Sequence, residues 1–110
     1  MKYTMTKIKE NTWKVAIDAL DPFSDSMELY VITYGDGDIC KVTDDGYTNY
    51  NLACLGKKVS YKDIYAIGKG DNLDKLIEIV LQKIISAYDK YNIENDWCKI
   101  NDDMWRLWKR

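Results

Sequence analysis

Histidine is absent from all 110 residues. Ser/His and Cys/His nucleophile pairs, and metal ligation through imidazole, therefore have no residue to use within one chain. Proline occurs once, as Pro22, and the remainder is 46% hydrophobic and 31% charged. That balance belongs to a compact globular chain and excludes a disordered one. Cysteine is sparse: Cys40, Cys54 and Cys98 are odd in number, far apart and without a C-x-x-C pair. Neither a disulfide framework nor a zinc site is signalled, and reduced thiols in a cytosol are the expectation. No apolar run approaches a membrane span, because "LIEIVLQKII" is interrupted by Glu78, Gln82 and Lys83. The start, "MKYTMTKIKE", has lysines but not the apolar stretch of a signal peptide. One cytoplasmic domain over residues 1–110, with no cofactor, is expected.

Two phosphate- and calcium-binding patterns also fail. The nearest approach to a G-x-x-x-x-G-K-[ST] loop is "GKGDN", Gly68 to Asn72, which lacks the second half. Asp36 and Asp38 are followed by Ile39, Cys40 and Lys41 rather than by the remaining oxygen ligands of a calcium loop. What the chain does have is a charge asymmetry concealed by its formal net charge of −2. Residues 18–46 hold eight acidic side chains against Lys41 alone. Nucleic acid is an unsuitable direct partner for such a block, since phosphates call for a basic surface; a basic protein is a suitable one.

Hydrophobic periodicity points to an α+β fold. "TWKVAIDAL" alternates Trp13, Val15 and Ile17 against Lys14 and Asp18, the period of a half-buried strand. Tyr3 to Ile8 is its neighbour or the first helix, and Pro22 closes the run. "MELYVIT" is apolar on both faces and reads as a central strand, and Asp36-Gly37 is a hairpin signal returning the chain through "ICKVT". A short helix is expected over "YTNYNLACLG", capped by Thr48 or Asn49 and ended by Gly56. "SYKDIYAIG" resembles a second helix start, Ser60 with Asp63, with a strand as the alternative. Leu73, Leu76, Ile77, Val80, Ile84, Ala87, Tyr88 and Tyr91 form the clearest helical stripe, entered at Asp71 or Asn72. The expected architecture is an antiparallel sheet of three to five strands in the first half, covered on one face by the long helix from about Leu73 to Tyr91, with short helices besides.

The candidate site residues are acidic or aromatic. Asp36, Asp38, Asp44 and Asp45 would present an acidic surface to a partner, although aspartate is also the ordinary residue of turns. Trp105 and Trp108, three apart and rimmed by Arg106, Lys109 and Arg110, would form an aromatic contact surface or close the core. As an alternative, Asp21, Asp25, Asp44 and Asp45 all fall at strand ends, where converging carboxylates could hold Mg²⁺ for phosphodiester cleavage.

The order "DPFSD" (Asp21 to Asp25), "ELYV" (Glu28 to Val31), a glycine turn, "VTDDGYT" (Val42 to Thr48) and "NLACLG" (Asn51 to Gly56) resembles the core signature of a family of bacterial and phage proteins of undefined function. Its pattern is P-F-x-D, an I-x-Y-V strand, L-T-D-D-G-x-T and an L-x-x-x-G helix. The resemblance covers roughly residues 15–60, with Val42 where leucine is usual. It implies architecture and a bacterial or phage origin, and brings no catalytic residue with it. Together these features are expected of a small phage- or mobile-element-type protein acting by protein–protein interaction. Its specific form would be an anti-defence, anti-CRISPR-like inhibitor that blocks a basic nucleic-acid-binding cleft of a bacterial host protein. The alternatives are a metal-dependent phosphodiester-cleaving enzyme, or accessory module of one, using the aspartates, and a homodimer joined through an unpaired strand or the tryptophan tail.

Overall fold

A computed structural model of the chain describes residues 3–20 and 26–91. Asp21, Pro22, Asp25 and the tryptophan-rich tail with Trp105 and Trp108 lie outside the described residues. Five strands form one antiparallel sheet in chain order: β1 (Tyr3–Lys9), β2 (Thr12–Leu20), β3 (Ser26–Tyr34), β4 (Ile39–Thr43) and β5 (Tyr65–Lys69). Helix α1 (Tyr47–Cys54) sits in the connection between β4 and β5, and α2 (Leu73–Lys90) follows a 3₁₀ turn over Gly70–Asn72. The architecture is α+β, with a sheet packed by a C-terminal helix and a shorter second one.

The register explains which residues face the helix. Trp13, Val31, Val42 and Ala66 stand opposite one another across four strands, so one pleat row runs unbroken beneath α2. Val15, Ile17, Met27, Leu29, Val31, Cys40, Val42 and Ala66 are buried there against Leu76, Ile77, Val80, Leu81, Ile84, Ile85 and Tyr88 of α2 and Leu52 of α1. The helical stripe and the alternation of the strands are thus two sides of one core. β3 is the central strand, as its two-sided apolar pattern implies. At the amino-terminal end, the Tyr3 hydroxyl donates to the Asp74 carboxylate, joining the edge strand to the first turn of α2. That hydrogen bond, with burial and the Asp74 charge, pushes the Tyr3 hydroxyl up to about 12.

Several local expectations change. At two places where the sequence leaves strand and helix both open, strand is found: Tyr3 to Lys9 is the neighbour of β2, and in "SYKDIYAIG" Ser60 to Ile64 starts no helix and the chain enters β5 at Tyr65, so the fifth strand comes from the second half of the chain. Asp63 is therefore no capping residue. Its carboxylate accepts from the Thr43 hydroxyl and pairs with Lys41 at 3.1 Å. The hairpin between β3 and β4 is a four-residue loop in which Gly35 (φ 60°) and Gly37 (φ 91°), rather than Asp36, take the left-handed conformation. Gly56 ends α1 as expected: its N–H donates to the Ala53 carbonyl and that of Lys57 to the Leu52 carbonyl, the paired bonds of a Schellman motif.

Candidate functional site

The two adjacent aspartates after β4 have opposite environments. Asp44 is only 3% exposed. Its carboxylate accepts three backbone N–H bonds: from Gly46 at 2.9 Å, Thr48 at 3.0 Å and Ile64 at 2.8 Å. Its own N–H donates to the Ile64 carbonyl at 3.0 Å. One side chain thus ends β4, satisfies donors at the start of α1 and fixes the chain arriving at β5. Neither Thr48 nor Asn49 caps α1; Thr48 is buried in its first turn, and the residue ahead of the helix is Gly46 in the left-handed conformation. The Asn49 side chain turns outward to the Lys62 carbonyl at 2.6 Å.

Asp45 is exposed and also left-handed, at φ 57°. Its backbone N–H is held by the Thr43 hydroxyl oxygen at 3.0 Å, while its carboxylate makes no hydrogen bond or ion pair among the described residues. A short relay, Asp45 N–H to Thr43 to Asp63 to Lys41, therefore backs this turn. Burial pushes the Asp63 carboxyl up, but the hydrogen bonds from Thr43 and Lys41 and the Lys41 charge outweigh it and leave the group below the usual carboxylate range.

Asp45 borders a groove of about 570 Å³ lined by Glu28, Tyr30, Asp44, Gly46, Tyr47 and Tyr50. Glu28 is paired with Lys14 of the neighbouring strand at 3.6 Å, both side chains about two-fifths exposed. Nothing in the spacing of residues 28, 30, 45, 47 and 50 marks them as one cluster; the antiparallel pairing of Tyr30 with Thr43 brings them together.

The four aspartates Asp36, Asp38, Asp44 and Asp45 are not one acidic cluster. Asp36 and Asp38 are exposed in the loop before β4, and Asp44 and Asp45 follow its end, about 20 Å along the strand at some 3.3 Å per residue. Of the four, Asp44 offers almost no surface. No group of three or more cysteine, aspartate or glutamate side chains among the described residues is arranged to hold a metal ion. No described helix is long and apolar enough to cross a membrane.

The sheet face turned away from α2 completes the picture. β3 places Glu28, Tyr30, Ile32 and Tyr34 along it, paired with Thr43, Lys41 and Ile39 of β4, which in turn face Tyr65, Ile67 and Lys69 of β5. Tyr34, Ile39, Tyr65 and Ile67 are all exposed there, Ile67 by 56%. No known family model, curated protein or solved structure matches the chain.

Proposed function

We propose that this chain is a small binding protein acting by protein–protein contact through the sheet face that α2 leaves open. The supporting observation is the charge layout of that face. An apolar strip, half-buried at Tyr30 and Ile32 and exposed at Tyr34, Ile39 and Ile67, flanks Lys41 and has carboxylates at both ends, Asp36 and Asp38 at the hairpin, near Lys69, and Glu28 with Asp45 at the groove. Contiguous exposed apolar surface with a charged rim is the chemistry of a protein partner: the strip supplies buried area, the ends supply orientation and association rate. Two of the lysines on this face are engaged, Lys14 by Glu28 and Lys41 by Asp63. The partner complementary to the ends is basic.

In its finer form the partner is a bacterial nucleic-acid-binding effector, whose basic cleft the acidic ends would occupy in place of phosphates, as an anti-defence inhibitor would. Purified chain titrated against a panel of purified bacterial nucleic-acid-binding effectors tests the proposal. The expected result is binding to at least one effector that weakens as salt is raised and is lost in an Asp36→Lys, Asp38→Lys, Asp45→Lys variant. Salt-independent binding, or binding unchanged by the charge reversal, removes the acidic ends from the mechanism. Concentration-dependent self-association abolished by Ile67→Glu would instead assign the face to a second copy of the chain.

A further inference from the structure

We propose that the groove between β3 and the start of α1 receives the guanidinium group of an arginine side chain from the partner. This inference rests on the open face being a protein-binding surface, and it specifies the chemistry of one end of that surface. Three of the groove's lining residues are tyrosines, Tyr30, Tyr47 and Tyr50, and two more are the carboxylates of Glu28 and Asp45. Aromatic faces attract a cation through the negative face of the ring, and carboxylates accept the forked N–H donors of a guanidinium. An anionic ligand would meet two negative charges, and an apolar one would bury them without a partner. A planar, weakly hydrated cation satisfies both kinds of wall, which is the property that separates arginine from lysine.

The two carboxylates are available in different degrees. The Asp45 carboxylate has no hydrogen bond or ion pair among the described residues, while its backbone N–H donates to the Thr43 hydroxyl oxygen at 3.0 Å. Glu28 holds Lys14 at 3.6 Å, a long and half-exposed pair that an incoming cation can displace. Lys14 is thus a competitor already in place, standing directly opposite Tyr30 in the sheet. Asp44 also borders the groove, but its oxygens are taken by the Gly46, Thr48 and Ile64 N–H groups, so it shapes the wall and leaves recognition to its neighbours. The neighbouring Cys54 raises the Tyr50 hydroxyl above its ordinary value, and Tyr50 is a neutral phenol at neutral pH, as an unshifted tyrosine also is.

The test is a titration of the isotope-labelled full chain with acetyl-Gly-Arg-Gly-amide, followed by amide chemical shifts. The expected result is saturable shifts confined to Glu28, Tyr30 and residues 45–50, with binding in the millimolar range for so small a probe. The peptide carrying citrulline, which keeps the shape without the charge, should bind at least about fivefold more weakly, and the lysine peptide should fall between the two. Asp45→Asn keeps a residue that tolerates the left-handed turn and should weaken the arginine peptide about threefold to tenfold. Lys14→Gln should strengthen it, a gain that a merely structural role for the groove would not produce. Equal binding of citrulline, shifts confined to the hairpin at 35–38, or lysine binding as tightly as arginine each overturn the assignment. Groove shifts with no effector binding would sink the open-face proposal alone. Effector binding that depends on Asp36 and Asp38, with the peptide leaving the groove untouched, would sink this one alone.

Discussion

Two turns bracket β4, and both are written in aspartate and glycine. Gly35-Asp36-Gly37-Asp38 precedes the strand; Asp44-Asp45-Gly46 follows it. In the first, the loop is closed by the Gly37 N–H to the Tyr34 carbonyl at 3.2 Å, and both aspartates stand in water. In the second, one carboxylate gathers three backbone donors, from the turn itself, from α1 and from the chain entering β5, while its neighbour is left exposed beside a groove. The difference lies in what must be joined. A hairpin returns to the strand it left and needs only permissive dihedral angles, which the glycines supply. The second turn has to pass from sheet to helix and also receive the chain coming back at Ile64, so backbone N–H groups converge where no strand can satisfy them.

Removing the central acceptor should have the largest effect. Asp44→Ala leaves three donors without a partner beside a buried helix start, and a loss of about 3–5 kcal/mol in urea unfolding is expected. Asp44→Asn, which keeps one carbonyl oxygen but turns an amide toward the donors, should lose about 2 kcal/mol. The same change at the other turn, Asp36→Ala, should stay within about 0.5 kcal/mol. Similar losses at both sites would erase the distinction between them.

The hairpin is nevertheless anchored, and its anchor is backbone. The Gly70 N–H donates to the Asp38 carbonyl at 2.9 Å, and a Cβ on Gly70 would fall 2.3 Å from the Gly37 carbonyl oxygen. Gly70→Ala must therefore push the loop off the 3₁₀ turn, with an expected loss of about 2 kcal/mol. Exchange protection of the Gly37 and Gly70 amides should fall with it. If instead Asp38→Ala reproduces this loss, side chains hold the loop and the contrast with Asp44 narrows.

What was legible in the sequence follows the same division between local and distant causes. The alternation of Trp13, Val15 and Ile17, the stripe from Leu73 to Tyr91 and the stop at Gly56 are set by neighbours one to four residues away, and each appears in the fold, the helix running Leu73–Lys90 with Tyr91 at its cap. Local spacing points to Thr48 or Asn49 as the cap of α1, because a capping side chain ordinarily lies next to the helix. The residue that serves is Asp44, whose third donor, Ile64, is twenty positions on and is delivered by the β4–β5 pairing. Asp63 likewise looks like a helix start by its distance from Ser60, yet its partners are Lys41 and Thr43 on the adjacent strand. The groove depends wholly on such pairing, and no periodicity announces it.

Acid titration separates the relay behind Asp45 from the hairpin. Because the folded Asp63 carboxyl titrates below its unfolded value, its contribution is fully present above the unfolded pKa of about 4 and is lost as pH falls through the lower folded value. Unfolding free energy measured from pH 6 down to pH 2 should therefore decline, and Asp63→Asn should flatten part of that decline. The difference at pH 6 should be less than about 1 kcal/mol, as expected for a pair about a quarter exposed to water. Asp36→Asn and Asp38→Asn should each leave the stability at pH 6 within about 0.5 kcal/mol, since both side chains are exposed.

The smallest effect has the opposite sign at the two turns. Asp45 adopts φ 57°, a conformation that an L-residue with a Cβ occupies at a penalty and glycine occupies freely. Asp45→Gly should relieve more strain than it adds in unfolded-state freedom, for a net gain of about 0.5 kcal/mol. Asp36 has no positive φ, so Asp36→Gly adds only that freedom and should cost about 0.5 kcal/mol. A gain at 45 together with weaker arginine-peptide binding would show that the exposed aspartate is kept against its own stability, whereas a loss at 45 would place its side chain in the fold after all.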